Sequence, residues 1–337
     1  MKRILVIYTG GTIGMVKDKK SGALLPFDMS KIYEALPVLK EFNCQLDSYR
    51  FDPIIDSSNM KPEYWIGLVE VIEKNYSQYD SFIVLHGTDT MSYTASVLSF
   101  MLENLNKTVI LTGSQLPLGM IRTDGRDNII GAVEIASSDS VSIPEVCIFF
   151  EDRLYRGNRT TKINAEYFEA FYSGNYPSLA KVGINITYKK HLFLEMPTLP
   201  FKAYKKLNEN VALIKIYPGL KEEYFRAMLS MNGLKGVVLE TFGSGNAPTE
   251  DWFIDALKQA IEKGIIIYNV TQCKAGAVVM GHYETSAHLA EIGVISGHDI
   301  TTESAIAKFM FLLGNFEDKQ QIINMLTNSL RGELSIS

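Results

Sequence analysis

Short runs of β-branched and aromatic residues recur along the chain, and each opens onto a polar, glycine-rich turn. Ile4–Tyr8 runs into Thr9-Gly10-Gly11-Thr12-Ile13-Gly14. Ser81–His86 runs into Gly87-Thr88-Asp89-Thr90, and Thr108–Thr112 into Gly113-Ser114-Gln115. Val146–Phe150 is followed by a charged loop that reaches Lys162. Helix-period segments follow the turns. Tyr93, Val97, Phe100, Met101 and Leu105 share one face of a predicted helix over Ser92–Leu105. Strand, turn and helix in alternation predict an α/β fold.

The rhythm weakens between Tyr188 and Asn210, where Met196-Pro197, Leu199-Pro200 and a set of lysines interrupt it. Strands resume at Val211–Tyr217, Leu234–Thr241 and Gly264–Thr271. Helices are predicted near Glu222–Ser230, Asp251–Glu262, Ser286–Ile292, Thr302–Leu313 and Asp318–Leu330. The expected organisation is a larger N-terminal catalytic α/β domain over 1–187 with a mostly parallel, mixed sheet. A connection over 188–210 follows, then a smaller flavodoxin-like parallel α/β domain over 211–337.

Composition narrows the class. With 33 Lys and Arg against 38 Asp and Glu among 337 residues, the net charge is −5. That balance disfavours a nucleic-acid partner, which needs clustered positive charge. No apolar run is long enough for a membrane span. The apolar stretch behind Lys2-Arg3 is too short for a signal peptide, so a cytoplasmic location is expected. Cys44, Cys147 and Cys273 are too few and too scattered for a disulfide framework or a zinc site. The five histidines form no ligand-spaced pair, so neither a metal nor a cofactor is expected. The first turn is not Gly-x-Gly-x-x-Gly, and no phosphate-binding Gly-x-x-x-x-Gly-Lys-[Ser/Thr] occurs.

Open α/β sheets bind ligands at the carboxyl ends of their strands. Three successive strand ends here carry glycine beside Thr, Ser or Asp. Glycine permits close backbone approach and leaves N–H groups to receive an oxyanion. Threonine supplies a nucleophile, and Asp orients or balances charge. Each turn alone also reads as a tight turn with a helix cap. His86, at the end of the second run, reads as a core or supporting residue. A partly buried lysine kept neutral would serve as base, and Lys162, after Arg159-Thr160-Thr161, is the candidate; its alternative is a solvated charge.

At these residues the chain resembles the bacterial-type L-asparaginases, in particular the cytoplasmic type I enzymes. Tyr8–Met15 and Leu85–Met91 resemble the two signatures, and Asp56-Ser57-Ser58-Asn59-Met60 resembles the substrate loop. Leu111–Gln115, Leu154–Lys162, Gly243–Pro248 and Asn269–Cys273 match as well. The resemblance implies hydrolysis of the side-chain amide of L-asparagine through an acyl-threonine ester. It implies Thr12 as nucleophile, and Thr88, Asp89 and Lys162 as a proton-relaying cluster. Asp56, Ser57 and Ser58 would hold the substrate's α-ammonium and α-carboxylate, with Asp89 sharing the ammonium. N–H groups around Thr88 and Ser114 would serve the oxyanion. A homo-oligomer, dimer or dimer of dimers, is implied, with no cofactor.

The chain departs from the pattern in two places. Many members carry a tyrosine soon after the nucleophile, and Val16–Pro26 has none. Tyr283 resembles a tyrosine that some type I enzymes bring from a neighbouring subunit. Some also bind asparagine at an allosteric site near positions matching Glu240, Thr271 and Cys273, and a regulated relative has arginine at the first. Glu240 reverses that charge, and Lys274 is the nearest sequence substitute. The rival readings are the asparaginase-like subunit of an archaeal tRNA-dependent amidotransferase and a non-catalytic small-molecule binder. The former has an additional N-terminal domain, whereas three residues precede the first strand here. The latter is disfavoured by competent residues at Thr12, Thr88, Asp89 and Lys162.

Overall fold

The computed structural model describes residues 1–17, 24–26, 32–280 and 284–336. The chain divides into two compact units, Met1–Lys205 and Lys206–Ser337. The first is built on an eight-stranded sheet. Its strands are β1 (Lys2–Tyr8), β2 (Cys44–Arg50), β3 (Ser81–Leu85), β4 (Thr108–Thr112), β5 (Val146–Phe150), β6 (Arg153–Arg156), β7 (Ala180–Lys181) and β8 (Thr187–Tyr188). In space they run β8-β7-β6-β5-β4-β3-β1-β2. β2, β1, β3, β4 and β5 are parallel, and the pairings beyond β5 are antiparallel.

β1, β3, β4 and β5 are apolar at most positions because both faces are covered, whereas the edge strand β2 is largely polar and exposed. Ile4, Val6, Ile83, Ile110 and Cys147 pack with Ile129, Ala132 and Val133 of α3 (Gly125–Ser137). The alternate residues, Leu5, Ile7, Phe82, Val84, Val109 and Leu111, are also buried. α1 (Pro62–Asn75) and α2 (Met91–Met101) complete the larger helices of this unit.

In this unit two predictions change in kind. The helix expected to reach Leu105 ends at Met101, and Leu102–Glu103 instead pairs with Lys202–Ala203. The loop expected after Phe150 turns back as β6. It can do so because Arg156, charged and inward-facing, finds Glu145 at 2.5 Å, with both side chains buried. The same guanidinium donates to Leu192 O at 2.8 Å, and Glu145 accepts Leu194 N at 3.0 Å.

The second unit carries β9 (Val211–Lys215), β10 (Gly236–Thr241), β11 (Ile266–Thr271) and β12 (Ile295–Ser296), parallel and in sequential order. One face packs Val237, Leu239 and Ile267 against Phe225 of α4 (Glu222–Leu229) and Phe253 and Leu257 of α5 (Asp251–Glu262). On the other, Tyr268 meets Phe309 edge to face, at 5.8 Å between ring centres. Phe309 belongs to α7 (Thr302–Asn315), which follows α6 (Glu284–Glu291) and precedes α8 (Lys319–Thr327).

Candidate active site

Strand order and register place the site. In the run β2-β1-β3-β4-β5, chain direction across the sheet reverses between β1 and β3, the crevice where open α/β sheets bind ligands. Tyr8 pairs with Leu85 and Leu85 with Thr112, so the three following turns start level with one another. Thr9 is anchored there, its N–H and its hydroxyl both donating to Leu85 O at 3.1 and 3.0 Å.

Glycine makes the turns converge. A Cβ on Gly11 (φ +89°) would lie 2.5 Å from Gly87 Cα, and one on Gly87 would lie 2.4 Å from Ser57 Oγ. No larger residue fits at either position. The backbone before Thr12 therefore touches the backbone before Thr88, and the 56–58 loop closes over both. Thr12 opens a short 3₁₀ turn, Thr12–Gly14, and is half-buried. Tyr8 Oη donates to Gly14 O at 3.2 Å, and burial pushes that phenol up to about 12, so it stays protonated and holds the turn.

Lys162 lies far along the sequence and is brought in by a two-strand ladder, Thr161–Lys162 against Phe171–Tyr172. Its Nζ donates to Thr88 Oγ1 at 2.8 Å and to Asp89 Oδ1 at 2.7 Å. The lysine side chain is 17% exposed and the aspartate 66%. Thr88 directs its own proton to Gln115 Oε1 at 3.2 Å. Gln115 Nε2 donates to Tyr167 O at 3.2 Å, which fixes the sense of that amide.

Asp56, an exposed residue, caps the turn Ser57–Asn59, accepting Ser58 N at 3.0 Å and Ser58 Oγ at 2.9 Å. Ser57 is buried, and its carbonyl accepts the Thr90 hydroxyl at 2.8 Å. Ser114 is buried too, and its hydroxyl donates to Leu116 O at 2.6 Å. Thr12, Asp56, Ser57, Ser58, Thr88, Asp89, Ser114 and Lys162 all belong to the first unit. Tyr283 lies outside the described residues.

Glu240, Thr271 and Cys273 stand together at the carboxyl ends of β10 and β11, in the second unit. Glu240 is nearly buried, with Lys215 Nζ 3.3 Å from Oε2 and the Thr302 hydroxyl donating to Oε1. Thr271 Oγ1 donates to Gly243 O at 2.6 Å and accepts Cys273 N at 3.1 Å. The cation facing Glu240 is thus Lys215 on β9, not Lys274.

Three supporting residues carry no local sequence signal for their roles. Gln115 sits inside a recognisable turn, but its partner Thr88 is distant in sequence. Asp124 precedes a helix and reads as a cap; its carboxylate instead accepts the N–H groups of Gln115 and Leu116 at 2.9 to 3.1 Å. Asn128, on α3, donates to Gly113 O at 2.9 Å. Together they fix the third turn against the second.

The chain is similar to known proteins along nearly its whole length. The family model "Asparaginase, N-terminal" matches residues 3–193, and "Glutaminase/Asparaginase C-terminal domain" matches residues 210–326. L-asparaginase 1 of Escherichia coli (strain K12) is 40% identical over 343 residues, covering 99% of this chain and 98% of that one. The crystal structure of L-asparaginase I from Vibrio cholerae superposes with a TM-score of 0.91 at 41% identity, covering 99% of each chain. The thermostable L-asparaginase from Thermococcus kodakarensis is more distant in sequence, at 28% identity. It superposes with a TM-score of 0.92, covering 99% of this chain and 100% of that one.

Proposed function

The chain belongs to the asparaginase family and hydrolyses the side-chain amide of L-asparagine to L-aspartate and ammonia, and we propose that it does so through an ester on Thr12. The observation that carries the assignment is Lys162 bridging Thr88 and Asp89, next to the backbone contact between Gly11 and Gly87. Thr12 Oγ attacks the amide carbon, and the carbonyl oxygen takes up charge. The C–N bond breaks as the proton given up by Thr12 is relayed to the nitrogen through the Thr88 hydroxyl, which Lys162 holds in place, and ammonia leaves. Water then attacks the ester, releasing aspartate and restoring the Thr12 hydroxyl. Splitting the hydrolysis in this way lowers each barrier.

Asp56, Ser57 and Ser58 hold the α-ammonium and α-carboxylate in this reading, and Asp89 shares the ammonium. Asp89→Asn keeps the shape but removes charge from both the ammonium and Lys162. KM for asparagine is expected to rise about tenfold, the equivalent of one lost charge contact, and kcat to fall as well. Steady-state kinetics of ammonia release check this; a fall in kcat alone would remove Asp89 from substrate binding.

The proposal extends to a cytoplasmic homo-oligomer, dimer or dimer of dimers, in which Tyr283 of a neighbouring copy reaches the site. It also extends to regulation. A carboxylate effector beside Glu240 meets like charge, and Lys215 is already engaged by Glu240. Hyperbolic kinetics are expected, with a Hill coefficient of about one. Initial rates on the wild type and on Glu240→Arg test this. A coefficient well above one in the wild type contradicts it, and cooperativity confined to Glu240→Arg supports it.

A further inference from the structure

The residue that ends the second apolar run, His86, is completely buried just beneath the Thr88 turn. Its two ring nitrogens have different partners. Nδ1 lies 2.6 Å from Gly87 O, and Nε2 lies 2.9 Å from Thr94 Oγ1. Trp65 Nε1 donates to the same Thr94 oxygen at 2.9 Å. A carbonyl only accepts and an indole N–H only donates. Nδ1 therefore carries the imidazole proton. Thr94 receives from Trp65 and passes its own hydrogen to Nε2. Burial pulls His86 down to about 4, so the ring is neutral and the chain Trp65→Thr94→His86→Gly87 O runs in one direction.

The consequence lies in the next peptide. The Gly87–Thr88 bond is trans, so its C=O and N–H point to opposite sides. Gly87 O is held on the buried side by the imidazole, and the Thr88 N–H accordingly faces away from the core. No described residue accepts that N–H.

We infer that His86 is a positioning residue, which pins the Gly87 carbonyl inward and thereby aims the Thr88 N–H at the oxyanion of the reacting amide. This rests on the reading of Thr88 as part of the active centre. His86 touches neither substrate nor reacting atoms. Its contribution is a donor fixed in advance of the reaction, and such donors act on the transition state more than on bound substrate.

Two substitutions separate this role from general support of the core. Asparagine places an N–H near the position of imidazole Nδ1. Glutamine places its amide near Nε2 and leaves Gly87 O without its donor. In His86→Asn, kcat for asparagine is expected within about threefold of wild type; in His86→Gln it is expected to fall at least tenfold or so, with KM in both within about threefold. Equal losses of kcat in the two, or a loss carried by KM, overturn the inference. Should either variant fail to fold, ¹⁵N NMR of the wild-type imidazoles decides. A neutral Nδ1–H tautomer for His86 at pH 7 supports the inference, and an Nε2–H tautomer or an imidazolium overturns it. Thr88→Val, measured alongside, tests the underlying reading separately: it keeps the backbone N–H and removes only the hydroxyl, so full activity there removes that hydroxyl from the proton relay whatever the His86 variants do.

Discussion

Replacing Thr12 by valine is expected to reduce kcat at least about a thousandfold while leaving the fold intact. Valine is nearly isosteric with threonine, so the half-buried turn Thr12–Gly14 keeps its packing and only the hydroxyl is lost. The remaining machinery has no substitute in place. Thr88 is engaged by Lys162 Nζ on one side and by Gln115 Oε1 on the other. Ammonia release by Thr12→Val, with circular dichroism as a check on folding, measures the effect. Near-wild-type turnover would mean that another residue attacks the amide.

The largest expected loss of stability lies in the second unit. Lys308 of α7 and Glu333 form an ion pair at 2.6 Å with both side chains fully buried. The ammonium also donates to Leu326 O at 3.1 Å and Asn328 O at 2.7 Å, at the end of α8. The carboxylate accepts the N–H groups of Leu330 and Arg331 at 3.0 and 2.7 Å. The pair thus folds the C-terminal segment back onto the second unit. Lys308→Met strands a buried carboxylate and is expected to cost about 3–5 kcal/mol, read as the shift of the urea transition of that unit. Burial pushes the Glu333 carboxyl up, but Lys308 and the backbone N–H donors outweigh it, so its pKa lies below the usual carboxylate range. A carboxyl depressed on folding stabilises above its unfolded pKa, and that stability is lost as pH falls through the lower folded value. The pair therefore holds at neutral pH and fails in acid. The double variant Lys308→Met/Glu333→Gln, with no stranded charge, should recover part of the loss; no recovery would place the cost in packing instead.

Strands β1, β3, β4 and β5 were legible because both their faces are covered, whereas the edge strand β2 is largely exposed and mixes polar with apolar residues, so it carries no such run. Helix α1 is opened by Pro62, a residue that suits a first helical turn. Helix α3 begins at Gly125 and contains Gly131, which packs against the Phe149 ring. Strand β6 was masked by its arginines, since the partner that lets Arg156 turn inward is a tertiary fact. At the site, Thr12, Thr88 and Asp89 announce themselves through local glycine turns. Read from residue type alone, Lys162 could equally be a solvated charge; the family resemblance grouped it with Thr88 and Asp89, and the fold supplies the contact distances. Gln115, Asp124 and His86 act across the sheet, through partners that local sequence does not name.

The most direct measurement is identification of the covalent intermediate. Rapid acid quenching of the enzyme during asparagine turnover, followed by peptide mass spectrometry, should find an aspartyl ester on the peptide containing Thr12, absent from Thr12→Val. An ester on the peptide containing Thr88, with none at Thr12, would contradict the account.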